Sequence, residues 1–553
     1  MSRDASRSIW ESKYRAPGEE RVEDSWKRVA RAIASVERDA SWASRFEALL
    51  AEFRFLPGGR ILAGAGLERR VTLLNCFVMG TIDDSLDGIF QALKEGALTM
   101  QQGGGVGYDF STLRPRSSEP GAAGTIPSGP VSFLEVWEAM AKTVLSTGLR
   151  RGAMMGTLRC DHPDVAELVA AKSKPGALAH FNLSVLVTDA FVEAVRNGAR
   201  WPLVFPAPPA PARVRAETRA RDLWTSMARA AWERGDPGVL FVDRINRTNN
   251  LWYAETISAT NPCGEVPLPP YGSCDLGSIN LTQFIVDPFD PRARVDHEAL
   301  AATATVATRF LDDVIDASRF PLEAQARRAR ETRRIGLGVT GLADALVMLG
   351  LRYDEEAGRA AAARILRTIC HAAYRASIAL AREKGAFPLF DRERFLAGPF
   401  VAALPDDVRD GIARDGLRNS HLVAIAPTGS ISLLAGGVSS GVEPIFAARV
   451  RRPWGGGEIA FDDWAVALHW RVARMGSLPD AFVAADSITP EDHVEMQAAL
   501  QPYVDNAIAK TVNVPRALPF EKLEPLFLLA YDRGLKGCTA FRPNPVTGEL
   551  LAH

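Results

Sequence analysis

Six cysteines stand at positions 76, 160, 263, 274, 370 and 538, and their spacing limits the chemistry open to them. No two form a Cys-x-x-Cys pair, and six in 553 residues are too few for a disulfide scaffold. Eight scattered histidines show no zinc-ligand spacing, so no metal site is expected. Cysteine chemistry here is therefore redox or radical work, or none. A buried structural thiol is the ordinary role of a cysteine, and Cys160, Cys370 and Cys538 are expected to play it. Cys263 is different. Pro262, Pro267, Pro269 and Pro270 exclude helix and central strand around it, so its thiol sits on a loop. Asn261 and Glu265 flank it two residues away on either side. An amide there can fix a hydroxyl by hydrogen bonds, and a carboxylate can accept a proton at short range. A polar turn with an incidental cysteine would have the same composition, and on these residues alone the two readings are level. Cys274 opens an apolar stretch through Leu276, Ile279, Leu281, Phe284 and Ile285 that reads as the entry to a buried element.

A second local signal concerns phosphate. Residues 422–426 read as a strand, and Thr428, Gly429, Ser430, Ile431 and Ser432 follow Pro427 in a turn that opens a helix. Glycine and small hydroxyl residues at such a turn leave backbone N–H groups and Oγ atoms to cradle a diphosphate, although many ordinary strand–turn–helix joints look alike. The glycine run Gly103-Gly104-Gly105-Val106-Gly107 does not match the dinucleotide fingerprint and by itself reads as a flexible joint.

Elements that must position these residues are legible from texture. Residues 1–70 are charged and helical in pattern (Val29, Ile33, Val36, Phe46, Leu49, Leu50). From 71 onward, short β-type runs alternate with amphipathic helices. One helix opens at Asp83-Asp84, carries Leu86, Ile89, Phe90, Leu93, Ala97 and Met100 on one face, and stops at Gly103. Another follows Pro130. The segment 205–213 is a proline-rich surface connection. Alternating strands and helices predict an α/β protein with a largely parallel sheet or barrel. The domain reading is an N-terminal helical region (1–70), a catalytic domain (71–545) and a short C-terminal end (546–553). Lys plus Arg (65) nearly cancels Asp plus Glu (66), so nothing favours a nucleic-acid groove or an anionic membrane as main partner, and neither is expected. The first thirty residues lack the apolar core of a secretory signal, and no apolar run reaches the length of a membrane span. A cytoplasmic location is expected.

The segment Asn261–Glu265, with Gly272–Leu281 after it, resembles the active-site signature of ribonucleotide reductase large subunits. Further segments resemble the family in the same order. These are Leu73–Val78 around the first redox cysteine, Met100–Pro115 as a first effector loop, and Gly148–Gly156 with Asp161–Asp164 as a second, specificity loop. Arg334–Asp344 and Ala426–Ser432 complete the series. The resemblance implies a ten-stranded α/β barrel with the Cys263 loop inside, after the helical region. It implies that Cys263 forms a thiyl radical that takes the ribose 3′ hydrogen. Glu265 would remove the 3′-hydroxyl proton and Asn261 would hydrogen-bond the sugar hydroxyls. Cys76 and Cys274 would supply two electrons and close a disulfide. Thr428 to Ser432 would hold the phosphates; Asp84, Arg114 and, as the weaker candidate, Lys94 would bind a dNTP or ATP effector; Arg150 and Arg151 would carry the signal to the base.

Three radical sources occur in the family. Residues 534–543 contain no adjacent tyrosines of the kind that relay a radical from a metal-containing subunit, and no Arg-Val-x-Gly-Tyr glycyl-radical segment appears. The Gly537–Pro543 form, together with Pro427–Ser432, most resembles the adenosylcobalamin-dependent class. The resemblance also implies a homodimer, ribonucleoside diphosphates in preference to triphosphates, and an external thiol reductant, since no cysteine pair follows Cys538. A subunit fed by a partner metalloprotein and a catalytically silent nucleotide-binding paralogue are the competing readings.

Overall fold

The computed structural model describes residues 3–69, 71–116, 127–144, 153–206, 213–454, 457–473 and 477–544. Three helices, Arg3–Lys13, Val22–Ala34 and Ser41–Leu50, lead the chain. In the second, Trp26, Val29, Ala30 and Ile33 recur at helical spacing and are all buried. Each such large apolar side chain removed from water stabilises by roughly 1.5–3 kcal/mol. This face packs against the helix His297–Ala317, where Phe310 meets Phe46 and Phe55 edge-on. Buried Glu37 adds ion pairs to Arg309 and Lys384, tying the helical region to the rest of the chain.

The strands behind this region form one ring. Cys76–Val78, Gly105–Asp109, Met154–Arg159, Phe181–Val187 and Gly238–Phe241 pair in that order, all parallel. Ser273–Asn280 and Ile335–Thr340 are parallel to each other, as are Thr511–Asn513 and Gly537–Phe541. Antiparallel joints connect Ser273–Asn280 to Cys76–Val78 and Gly537–Phe541 to Gly238–Phe241. The gap closes through residues 423–425, by parallel bridges Leu337↔Val423 and Ile425↔Ile508. The result is the expected barrel, made of two half-barrels of parallel strands joined antiparallel. A short strand, Phe55–Pro57, extends it alongside Ser273–Asn280. Each half has its own apolar core against its outer helices, and a third small cluster lies between them. That cluster contains Cys76, Cys274, Ala259, Val266 and Ala424.

Two expectations need correction. Residues 422–426 are not a full strand, because the Asp505 carboxylate takes the Leu422 and Val423 amides at 2.8 Å each. The buried side chain thus replaces part of a ladder. The first effector helix runs Leu86–Gln101, capped by Ser85 Oγ accepting from Gly88 N at 3.0 Å, so it starts after Asp83-Asp84. It buries Ile89, Ala92, Thr99 and Met100, whereas Leu86 (67% exposed) and Phe90 (52%) face outward. The proline-rich segment joins the hairpin strands Arg200–Phe205 and Arg213–Arg219; its residues 207–212 lie outside the described ones.

The glycine run is also not a loose joint. Its second half is the strand Gly105–Asp109, and a Cβ on Gly107 would lie 1.9 Å from the Thr260 carbonyl oxygen. Only a hydrogen there lets the loop carrying Cys263 sit against the barrel wall. Gly107→Ala should therefore lower stability by about 1–3 kcal/mol, the usual cost of overpacking. A urea melt checks this, and an unchanged midpoint would mean that the loop moves aside freely.

Candidate active site

Ala259–Thr260 and Pro267–Leu268 pair antiparallel, and the loop between them hangs inside the barrel. It is tethered on both sides. Asn182 Nδ2, on one half-barrel, donates to the Pro262 carbonyl at 2.7 Å, and Ala507 N, on the other, donates to the Glu265 carbonyl at 2.9 Å. Within the loop, Gly264 N donates to the Asn261 carbonyl at 3.1 Å.

Asn261 organises the side chains. Its Nδ2 donates to Glu265 Oε2 at 2.8 Å and to Cys76 Sγ at 3.2 Å, while its Oδ1 accepts from Val266 N at 2.9 Å. Asn261 and Glu265 are buried, Cys263 is half-buried, and Cys76 Sγ lies 4.0 Å from Glu265 Oε1.

Cys76 and Cys274 are direct cross-strand partners in the antiparallel joint, and neither is in a disulfide in the structure. Such partners have Cα atoms roughly 4.5–5.5 Å apart, within the span of about 4.4–6.8 Å that a disulfide bridges. Burial pushes the Cys274 thiol well up, and also holds the neighbouring Asp275 carboxyl well above the usual carboxylate range. Both Asp275 oxygens are buried without a hydrogen-bond partner, as suits a neutral acid.

One cavity of about 380 Å³ gathers Cys76, Asn261, Cys263 and Glu265 with Thr428, Gly429, Ser430 and Ile431. Thr428 takes a left-handed backbone (φ 45°), and its Oγ accepts from Gly441 N at 2.7 Å and lies 3.0 Å from Thr340 Oγ. That hydroxyl therefore builds the turn. Ser432 does not line the cavity; its hydroxyl donates to the Gly429 carbonyl at 3.3 Å and meets Ser440 Oγ at 3.1 Å. Lys13, Tyr14 and Arg60 line the same cavity, and the sequence reading missed all three. They come from the helical region, hundreds of residues from the phosphate turn, and no local pattern links them to it. The double glycine before Arg60 was the one available signal.

A second cavity, about 400 Å³, lies beyond the loop and is also lined by Cys263. Cys538 lines it too, its thiol pushed up to about 12 by burial, so it is not simply a core residue. Cys160 and Cys370 are buried in the two outer cores. Away from the loop, Arg114 Nε donates to Asp84 Oδ2 at 2.8 Å and its backbone N to Asp84 Oδ1 at 3.0 Å. Those two effector candidates come together, Lys94 is exposed further along the helix, and Arg150 and Arg151 lie outside the described residues.

The geometry gives one expectation that needs no substrate. A mild oxidant should link Cys76 to Cys274, faster as pH rises because the thiolate attacks. Peptide mapping of the oxidised protein reads the linkage, and mixed pairings without this one would contradict the register.

Comparisons with known proteins agree with this geometry. A family model described as the ribonucleotide reductase barrel domain matches residues 74–541, and one described as the ribonucleotide reductase all-alpha domain matches 3–70. The vitamin B12-dependent ribonucleoside-diphosphate reductase of Mycobacterium tuberculosis is 40% identical over 95% of this chain and 75% of its own length. The protein of the same description from Thermoplasma acidophilum is 37% identical over 92% of this chain and 66% of its own length. A ribonucleoside-diphosphate reductase subunit alpha from Chlamydia muridarum is 26% identical, over 94% of this chain and 56% of its own length. With a cysteine–amide–carboxylate loop inside a two-half barrel, and with matches of this extent, the chain belongs to the ribonucleotide reductase family.

Proposed function

We propose that this protein reduces ribonucleoside diphosphates to 2′-deoxyribonucleotides by thiyl-radical chemistry, with adenosylcobalamin as the radical source. The observation that carries the reading is the placement of Cys263. It lines one cavity together with a carboxylate, an amide, the Cys76 thiol and a phosphate-type turn, and a second cavity on the other side of its loop.

In the first cavity each residue has a distinct task. Cys263, as a thiyl, takes the 3′ hydrogen of the ribose. Glu265 removes the 3′-hydroxyl proton, and Asn261 keeps its carboxylate aimed while hydrogen-bonding the sugar. The 2′ hydroxyl leaves as water with a proton from the Cys76–Cys274 pair. That pair then supplies two electrons and a second proton and becomes a disulfide, so two thiols and one ribonucleotide give one deoxynucleotide, one water and one disulfide. At the end Cys263 returns the 3′ hydrogen and Glu265 returns the proton to the 3′ oxygen. A dithiol reductant from outside the described residues restores the pair.

The residues around the second cavity fit a nucleoside-bearing cofactor. Gln497 and Gln501 line it, each more than nine-tenths buried, and their Oε1 atoms lack hydrogen-bond partners. They suit the amino and hydroxyl donors of an adenosyl group, with Asn182, Ser184 and Cys538 on the walls. When bound, adenosylcobalamin supplies the one-electron oxidation of the Cys263 thiol through homolysis of its cobalt–carbon bond. The printed names of the relatives in Mycobacterium tuberculosis and Thermoplasma acidophilum support this choice.

Regulation and assembly follow the same reading. The Asp84–Arg114 pair is the candidate anchor for a nucleotide effector, and the outward Leu86 and Phe90 fit the same face of a second copy. No helix among the described residues is long and apolar enough to cross a membrane, and we place the reaction in the cytoplasm.

Purified protein given adenosylcobalamin, a dithiol, an effector and each ribonucleotide should form deoxynucleotide only when cobalamin is present. Cys263→Ser should abolish turnover, and Glu265→Gln should slow it about 10²–10⁴-fold, the usual worth of a general base. Product formed without cobalamin, or by Cys263→Ser, would overturn the assignment. Phe90→Asp should shift the protein from dimer to monomer in sedimentation; an unchanged sedimentation coefficient would place the dimer face elsewhere.

A further inference from the structure

We infer that Lys13 and Arg60 bind the diphosphate of the substrate, which makes the N-terminal helical region part of the substrate site. The inference rests on the reading that the first cavity takes a ribonucleotide, and it names the residues that select its phosphates.

The phosphate turn itself carries no charge. Thr428 through Ser432 offer hydroxyls and peptide groups only, and two of the hydroxyls are occupied within the turn. The chain as a whole has a formal charge of −1, so no general field draws a polyanion inward. Glu265 adds a carboxylate at the sugar end of the same cavity. Local cations would add charge to the peptide groups and hydroxyls with which the turn holds a diphosphate. Among the described residues that line the cavity, Lys13 and Arg60 are the cationic ones.

Their position along the cavity follows from contacts of their neighbours. Tyr14 is buried, and its hydroxyl donates to Ser430 Oγ at 2.7 Å. Lys13 is the residue before Tyr14. Gly59 packs on Tyr14 so closely that a Cβ would lie 3.2 Å from the same hydroxyl, and Arg60 is the residue after Gly59. Lys13 and Arg60 thus each adjoin in sequence a residue at this tyrosine, and the Arg60 guanidinium lies against Gly103 on the wall of the same cavity.

The helix carrying Lys13 is firmly seated. Ser6 Oγ donates to the Leu434 carbonyl at the far end of the turn's helix, and Trp10 Nε1 donates to Ser25 Oγ at 2.8 Å. An arginine can grip two phosphate oxygens at once, while a lysine serves as a movable point charge. The pair thus suits two successive phosphate groups, one fixed and one adjustable.

Equilibrium binding to the full chain tests this without turnover. Cytidine diphosphate is titrated calorimetrically, and cytidine is followed by ligand-observed NMR. Parent protein is compared with Lys13→Gln, Arg60→Gln and Lys13→Arg. Each glutamine variant should weaken diphosphate binding about tenfold, equivalent to about 1.4 kcal/mol. Cytidine binding should stay within about twofold of the parent, and Lys13→Arg should recover most of the diphosphate affinity. The parent's preference for diphosphate should also shrink as salt rises. Unchanged diphosphate affinity in both glutamine variants would overturn the inference. Equal losses for cytidine and its diphosphate would also overturn it, by showing a role in folding alone. A parent that bound no ribonucleotide at all would instead sink the functional reading on which it rests.

Discussion

The Asn261 side chain is the joint on which the site depends. One amide holds a carboxylate, a thiol and a backbone N–H, at 2.8, 3.2 and 2.9 Å, using both donor hydrogens and its acceptor. Replacing it would remove one anchor each from the Glu265 carboxylate, the Cys76 thiol and the loop around Cys263. Because both Asn261 and Glu265 are buried, these bonds lie in a setting of low dielectric, and each is stronger than it would be at the surface. A carboxylate kept dry and aimed is what proton removal from a poorly acidic hydroxyl requires.

The barrel exists around that joint. A loop can hang inside a ring of strands only if the wall leaves room and both sides hold it. Room comes from Gly107, where any side chain would strike the Thr260 carbonyl. The hold comes from Asn182 on one half-barrel and the Ala507 peptide on the other. The antiparallel seam between the halves then sets Cys76 opposite Cys274, so the seam that joins the barrel also brings the candidate redox pair together. With the loop crossing the interior, the space divides into two cavities that share Cys263. One thiol therefore faces both cavities.

Much of this was legible in the sequence, for reasons that differ by residue. The prolines around Cys263 declared a loop, and the flanking Asn261 and Glu265 declared polar chemistry, because these are local properties. The facing of Cys76 and Cys274 was not local; it came from resemblance alone until the strand register placed them together. The reading of 422–426 as a full strand failed because the Asp505 side chain, distant in sequence, takes backbone amides that a ladder would use. Leu86 and Phe90 read as core because apolar periodicity does not say which body covers a face. Lys13 and Arg60 went unnoticed because charged residues in a helical region look solvated until the fold turns them inward.

The central claim is that Cys263 takes the ribose 3′ hydrogen and later gives it back. Turnover of a ribonucleotide deuterated at the 3′ carbon tests it most directly. The account predicts slower turnover than with the protiated substrate, and a deoxynucleotide that still carries deuterium at that carbon. An unchanged rate, with the 3′ deuterium lost to solvent, would contradict it.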